Sequence, residues 1–71
     1  MPRKESDPMN SIKIEVNRGS GWMVRVEGDA IMTADLLANS LGAYAIQHPH
    51  RAFLDGVLVA EAAKGGKVTR F

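Results

Sequence analysis

Apolar and polar positions alternate twice near the start of the chain. Ile12, Ile14 and Val16 fall on one side of an extended backbone, with Lys13 and Glu15 on the other. Trp22, Val24 and Val26 repeat the pattern, with Met23 and Arg25 between them. The intervening Asn17-Arg18-Gly19-Ser20-Gly21 is a run of turn residues. Together these runs predict an antiparallel hairpin with one apolar face. Strict alternation places Trp22, Val24 and Val26 on that face and leaves Met23 and Arg25 outside, with Lys13 and Glu15.

Glu27-Gly28-Asp29 predicts a further turn, and Ala30-Ile31-Met32 a short strand or a lead-in. The period changes after Met32. Leu37, Leu41 and Tyr44 follow helical spacing, and Ala34, Ala38 and Ala45 beside them are small enough to let a helix approach a sheet. Thr33 suits an N-cap and Asp35 the positive end of a helix dipole. A helix is therefore predicted over 33–47, ending before Pro49. Gly42 inside it costs about 1 kcal/mol relative to alanine.

Residues 50–64 admit two readings. One is a second helix, with Pro49 at its first position and Gly65 as its C-cap. The other is a hairpin, with Asp55-Gly56 turning Ala52-Phe53-Leu54 into Val57-Leu58-Val59. Glu61 falls between Leu54 and Val57 on a helical wheel, which denies the helix a clean polar face and favours the strands. Gly65-Gly66 would then turn the chain into Lys67 to Phe71. Met1 to Asn10 is polar, carries two prolines and has nothing to bury, so a disordered tail is expected there, with Met9 a candidate alternative start. Residues 11–71 read as a single small α+β domain: a small antiparallel sheet that starts with a hairpin and packs against one central helix.

Composition narrows the function classes. The chain has 71 residues, 45% of them hydrophobic, which suits one domain with a modest core. It has no cysteine to form a disulfide, so homodimerisation is a reasonable further source of stability. Nine basic and eight acidic residues leave a net charge of +1, short of the basic excess of a dedicated nucleic-acid binder. The first ten residues lack the apolar centre of a signal peptide, and no apolar run is long enough for a membrane span, so a cytoplasmic location is expected.

Candidate chemistry is sparse. Gly19-Ser20-Gly21 sits in a hairpin turn, outside the strand-to-helix context of a phosphate loop. His48-Pro49-His50 has two imidazoles but no thiolate and only Asp55 nearby, too few ligands for a structural zinc site, and reads as a polar turn. Ser40 and His48 are too far apart on a helix to form a nucleophile–base pair. No enzyme activity, metal or cofactor is expected. Trp22 is read as a core residue, with an interface role as the competing assignment. Lys64, Lys67 and Arg70 cluster near the C-terminus, as a small phosphate-binding patch or as charge for solubility.

A hairpin at Ile12 to Val26, a helix at Thr33 to Gln47 and a hairpin around Asp55-Gly56, in a tiny near-neutral chain, resemble the small phage-encoded inhibitors of the anti-CRISPR type. The resemblance is one of size and element order and carries no shared motif. It implies a folded plug that binds a bacterial protein assembly and blocks its substrate or its movement. The net charge of +1 favours steric blocking over nucleic-acid mimicry. The expected function is thus a non-enzymatic protein-binding module whose partner is a bacterial protein or complex. Met23, Arg25 and Arg51 are the candidate contacts, because arginine and methionine suit interfaces and the core does not need them. The alternatives are a small nucleic-acid-binding accessory protein and a structural homo-oligomer subunit.

Overall fold

The computed structural model describes residues 9–71; Met1 to Pro8 of the expected tail lie outside the described residues. Five strands and one helix follow in the order β1 (Asn10–Asn17), β2 (Trp22–Ala30), α1 (Ala34–Tyr44), β3 (His50–Leu54), β4 (Val57–Ala62) and β5 (Val68–Arg70). Strand β1 thus begins one residue inside the stretch expected to be tail. The strands form a single antiparallel sheet in the order β2-β1-β3-β4-β5, with α1 against one face. The expected α+β architecture is the one observed.

Within residues 50–64 the chain forms the strands β3 and β4, and the second-helix reading is overturned. Asp55 and Gly56 both take positive φ (50° and 82°), the pairing that a two-residue hairpin turn needs to match strand twist. The Asp55 carboxylate also accepts hydrogen bonds from the Ser11 N–H (2.9 Å) and the Asn10 amide (2.8 Å), tying this turn to the start of β1. Glu27-Gly28-Asp29 is no turn. It continues β2, with Gly28 opposite Ile12 and Asp29 opposite Ser11.

Thr33 caps α1 as expected, its hydroxyl accepting from the Leu36 N–H at 3.2 Å. The helix stops at Tyr44, short of the predicted Gln47. The Gly65 N–H, arriving from the β4–β5 turn, donates to the carbonyls of Ala45 (2.9 Å), the C-cap, and Ile46 (3.2 Å), so a tertiary contact ties down the chain just past the helix end. Gly42 and Gly66 explain each other. A Cβ on Gly66 would sit 3.0 Å from the Gly42 carbonyl oxygen, and one on Gly42 would sit 3.3 Å from Val68. The glycine that weakens the helix is where the β4–β5 turn meets it.

Leu37, Ala38, Leu41 and Ala45 are buried against Ile14 of β1, Ala52 of β3, and Ala60 and Ala62 of β4. Alanines on the sheet let the two leucines approach closely, which keeps a core of this size dense. The helix lies over β3, β4 and β5. Of the hairpin, only Ile12, Ile14 and Val26 join the core beneath the helix, and most of β2 is exposed.

One irregularity reorganises that hairpin. Ile14 faces Val26 but Glu15 faces Val24, so Arg25 is an extra residue in β2. Such a bulge reverses the side-chain phase of everything before it. Val26 packs on the helix side, as expected. Val24 and Trp22 lie on the face away from the helix, in phase with Glu15, which corrects the core assignment of Trp22. Met23 pairs with Val16 and moves to the helix side, which corrects its outer-face placement; Arg25 moves with it.

Candidate binding surface

The face away from the helix has no layer over it among the described residues. Its middle is built from three strands. Register places Glu15 of β1 opposite Arg51 of β3, and Lys13 opposite Phe53. Trp22 reaches the same row from the end of β2. The Arg51 guanidinium lies 4.3 Å from the centroid of the Trp22 ring and 5.4 Å from that of Phe53. Its Nε donates to Glu15 Oε1 at 2.6 Å. Lys13 Nζ sits 4.7 Å from the Phe53 centroid and 3.8 Å from Glu15 Oε2. The result is a ladder of Trp22, Arg51, Phe53 and Lys13, with Glu15 as the shared counter-ion.

The ladder is ordered by its own contacts. A guanidinium stacks flat on a ring and still presents its edge to a carboxylate, which an ammonium cannot do. Each cation–ring contact contributes about 0.5–1 kcal/mol at exposed sites. The Glu15 side chain is only 12% exposed, so its short bond to Arg51 is better shielded than an ordinary surface pair. Val24, 51% exposed and opposite Glu15, extends the apolar part of the row.

A second cluster lies on the helix side, where the bulge aims Arg25 across the hairpin. His50, the first residue of β3, is buried. Its Nδ1–H donates to the His48 carbonyl at 2.8 Å, and its Nε2 accepts from Arg25 Nη1 at 3.0 Å. The Tyr44 ring stacks on it at 5.9 Å, and the Arg25 guanidinium lies 4.8 Å from the Tyr44 centroid. Burial lowers the His50 pKa from its ordinary value of 6.5, and the neighbouring charge of Arg25 pushes it the same way. The His48 carbonyl opposes this by favouring the protonated ring. Around this cluster an open cleft of about 490 Å³ is lined by Arg18, Arg25, Tyr44, Gln47, His48 and His50, among others.

The structure therefore divides the three candidate contact residues between two faces. Met23 and Arg25 are on the helix side and Arg51 is on the other. Trp22, Phe53, Lys13 and Glu15 are the members of the Arg51 surface that sequence reasoning did not select. Lys13 and Glu15 were expected on this outer face; a break in alternation at Val24-Arg25-Val26 would have placed Trp22 there too, but the residue types give no such break. The remaining candidates are dispersed. Ser40 directs its hydroxyl to the Leu36 carbonyl at 3.0 Å, and Arg70 is held by Asn39 (2.5 Å) and Asp35 (3.7 Å) of the helix. Among the described residues, no three His, Cys, Asp or Glu side chains converge on a metal position, and no helix is long and apolar enough to cross a membrane. Comparison with protein-family models, with curated proteins and with solved structures finds no match to this chain.

Proposed function

We propose that the chain is a non-enzymatic binding module that docks on a partner protein through the open sheet face centred on Trp22 and Arg51. The observation that carries this reading is the Trp22–Arg51–Phe53–Lys13 ladder, which sets tryptophan and arginine side by side on strands. Tryptophan and arginine are the residue types that dominate interface energies, and rigid strands fix them before a partner arrives.

Charge favours a protein over a nucleic acid as the partner. Lys13 and Arg51 share Glu15, and Glu61 stands opposite Arg51 in the register of β3 and β4. Glu27 stands opposite Lys13 on the same face, so carboxylates outnumber cations there, and a phosphate backbone would gain little from this face and would compete with Glu15. A partner of mixed polarity fits it better. The phage-inhibitor reading is the version of this proposal in which docking blocks a bacterial assembly by occupying its surface.

The test is a pull-down from bacterial lysate with the wild type and a Trp22→Ala, Arg51→Ala variant, after circular dichroism shows both to be folded at the assay temperature. A specific protein retained by the wild type over a range of salt and lost by the variant supports the proposal. Equal retention by both overturns the assignment of this face. Salt-sensitive binding to DNA or RNA in place of a protein would give the nucleic-acid reading precedence. A stable oligomer that retains neither would make self-assembly the function.

A further inference from the structure

The cleft beside His50 is independent of the sheet face just described and, unlike that face, carries an excess of positive charge. Arg18, from the β1–β2 turn, and Arg25, from the bulge, both line it, and no carboxylate does. Among the described residues neither guanidinium has a carboxylate within ion-pair distance. The hydrogen-bond partner of Arg25 is the neutral Nε2 of His50, and its flat side rests on Tyr44. Two uncompensated positive charges therefore share one concavity, with the His48 ring and the Gln47 amide as further polar groups on its wall. The C-terminal end of α1 also borders the cleft. Its macrodipole supplies about half a negative charge, which leaves most of the two positive charges unanswered.

We propose that this cleft is an anion site that takes a phosphate-type dianion, held by Arg18 and Arg25. A dianion balances two guanidiniums where a carboxylate balances one, and the planar forks of arginine match its oxygens in pairs. The cleft is larger than a lone phosphate and open to solvent, so it accepts either free phosphate or the phosphoryl end of a small phosphomonoester. The placement of Arg25 follows directly from the bulge: in a regular strand its side chain would lie on the opposite face.

Titration of the full chain with inorganic phosphate, phenyl phosphate and acetate at constant ionic strength, followed by the amide and side-chain NMR signals, tests this. Phosphate is expected to shift the signals of Arg18, Arg25 and His48 saturably, with acetate weaker by about tenfold or more. Tighter binding of phenyl phosphate identifies a phosphomonoester as the ligand, and equal binding identifies free phosphate. Arg25→Gln removes the His50 partner and can lower stability, so Arg18→Gln, whose guanidinium makes no hydrogen bond or ion pair among the described residues, is the second variant. Both are expected to weaken phosphate binding by about tenfold, whereas Arg51→Gln leaves it unchanged. Saturable shifts that survive Arg18→Gln, equal affinity for acetate, or no shift in the cleft would each overturn the proposal.

Discussion

Acidification should destabilise this protein through His50, and the size of the effect is bounded by one proton. In the folded chain Nε2 accepts from Arg25 and Nδ1 is committed to the His48 carbonyl. Protonating the ring turns Nε2 into a donor facing a donor, beside a guanidinium and away from water. The folded pKa is accordingly below the ordinary 6.5 of the unfolded chain. Between those two values the unfolded state binds more protons than the native state, so stability rises with pH there. The contribution is fully present above about pH 6.5 and is lost as pH falls toward the folded value. One proton limits the slope to about 1.4 kcal/mol per pH unit. For a domain of this size each kcal/mol moves the melting midpoint by about 4–8 °C. Thermal melts followed by circular dichroism between about pH 5 and pH 8 should therefore show a midpoint that declines on the acid side of neutrality. His50→Gln keeps an acceptor for Arg25 and a donor without a titrating group, and the difference between variant and wild type isolates the histidine. The reasoning fails if the two midpoints run parallel across this range, or if the wild type gains stability as the pH falls.

Three further outcomes follow from the packing. Leu41 is fully buried, so Leu41→Ala should cost about 2–5 kcal/mol; because a core this small supplies about 3–5 kcal/mol, the variant should lose its cooperative melt. Gly66→Ala combines a left-handed φ of 91° with a Cβ 3.0 Å from the Gly42 carbonyl oxygen; a loss of about 1–3 kcal/mol in chemical denaturation is expected, against a smaller loss for Gly65→Ala, where the added carbon meets nothing. A double-mutant cycle of Trp22→Ala and Arg51→Gln should return a favourable coupling of about 0.5–1 kcal/mol; a coupling of zero would show that the stacked pair adds nothing to the fold.

The regular parts of the fold were legible because local patterns and tertiary demands agree. Leu37 and Leu41 announce the buried stripe of the helix. Asp55-Gly56 announces its turn because few residue pairs take positive φ twice in succession. The candidate surfaces were less legible, for a specific reason. Trp22, Val24 and Val26 keep perfect alternation in sequence, yet Arg25 is an additional residue in the strand, so the real phase changes where the pattern does not. Reading Trp22 as core followed from trusting that phase. Glu15 and Arg51 are 36 residues apart, and only the pairing of β1 with β3 brings them together. The His-Pro-His segment looks polar, but whether His50 is wet or dry depends on Tyr44 and Arg25, which arrive from two other elements.

Strand β1 has a position in the sheet whose meaning extends beyond packing. It bonds to β2 on one edge and β3 on the other, and β2 has no other strand partner among the described residues. The helix rests on β3, β4 and β5, which are consecutive with it in the chain. The molecule is thus a hairpin zipped onto a helix-backed meander along one seam, joined covalently only through the segment around the exposed Ile31. A chain divided at Ile31 would yield two fragments, each carrying local pairings intact and each presenting one side of the same strand-to-strand seam. Fragments built this way complement each other in trans, as an edge strand recruits a strand. Recovery of the native fold from a mixture of residues 9–31 and 32–71 would make the β1–β3 seam a reassembly handle, and the bulge in β2 would return to its place with the hairpin that carries it.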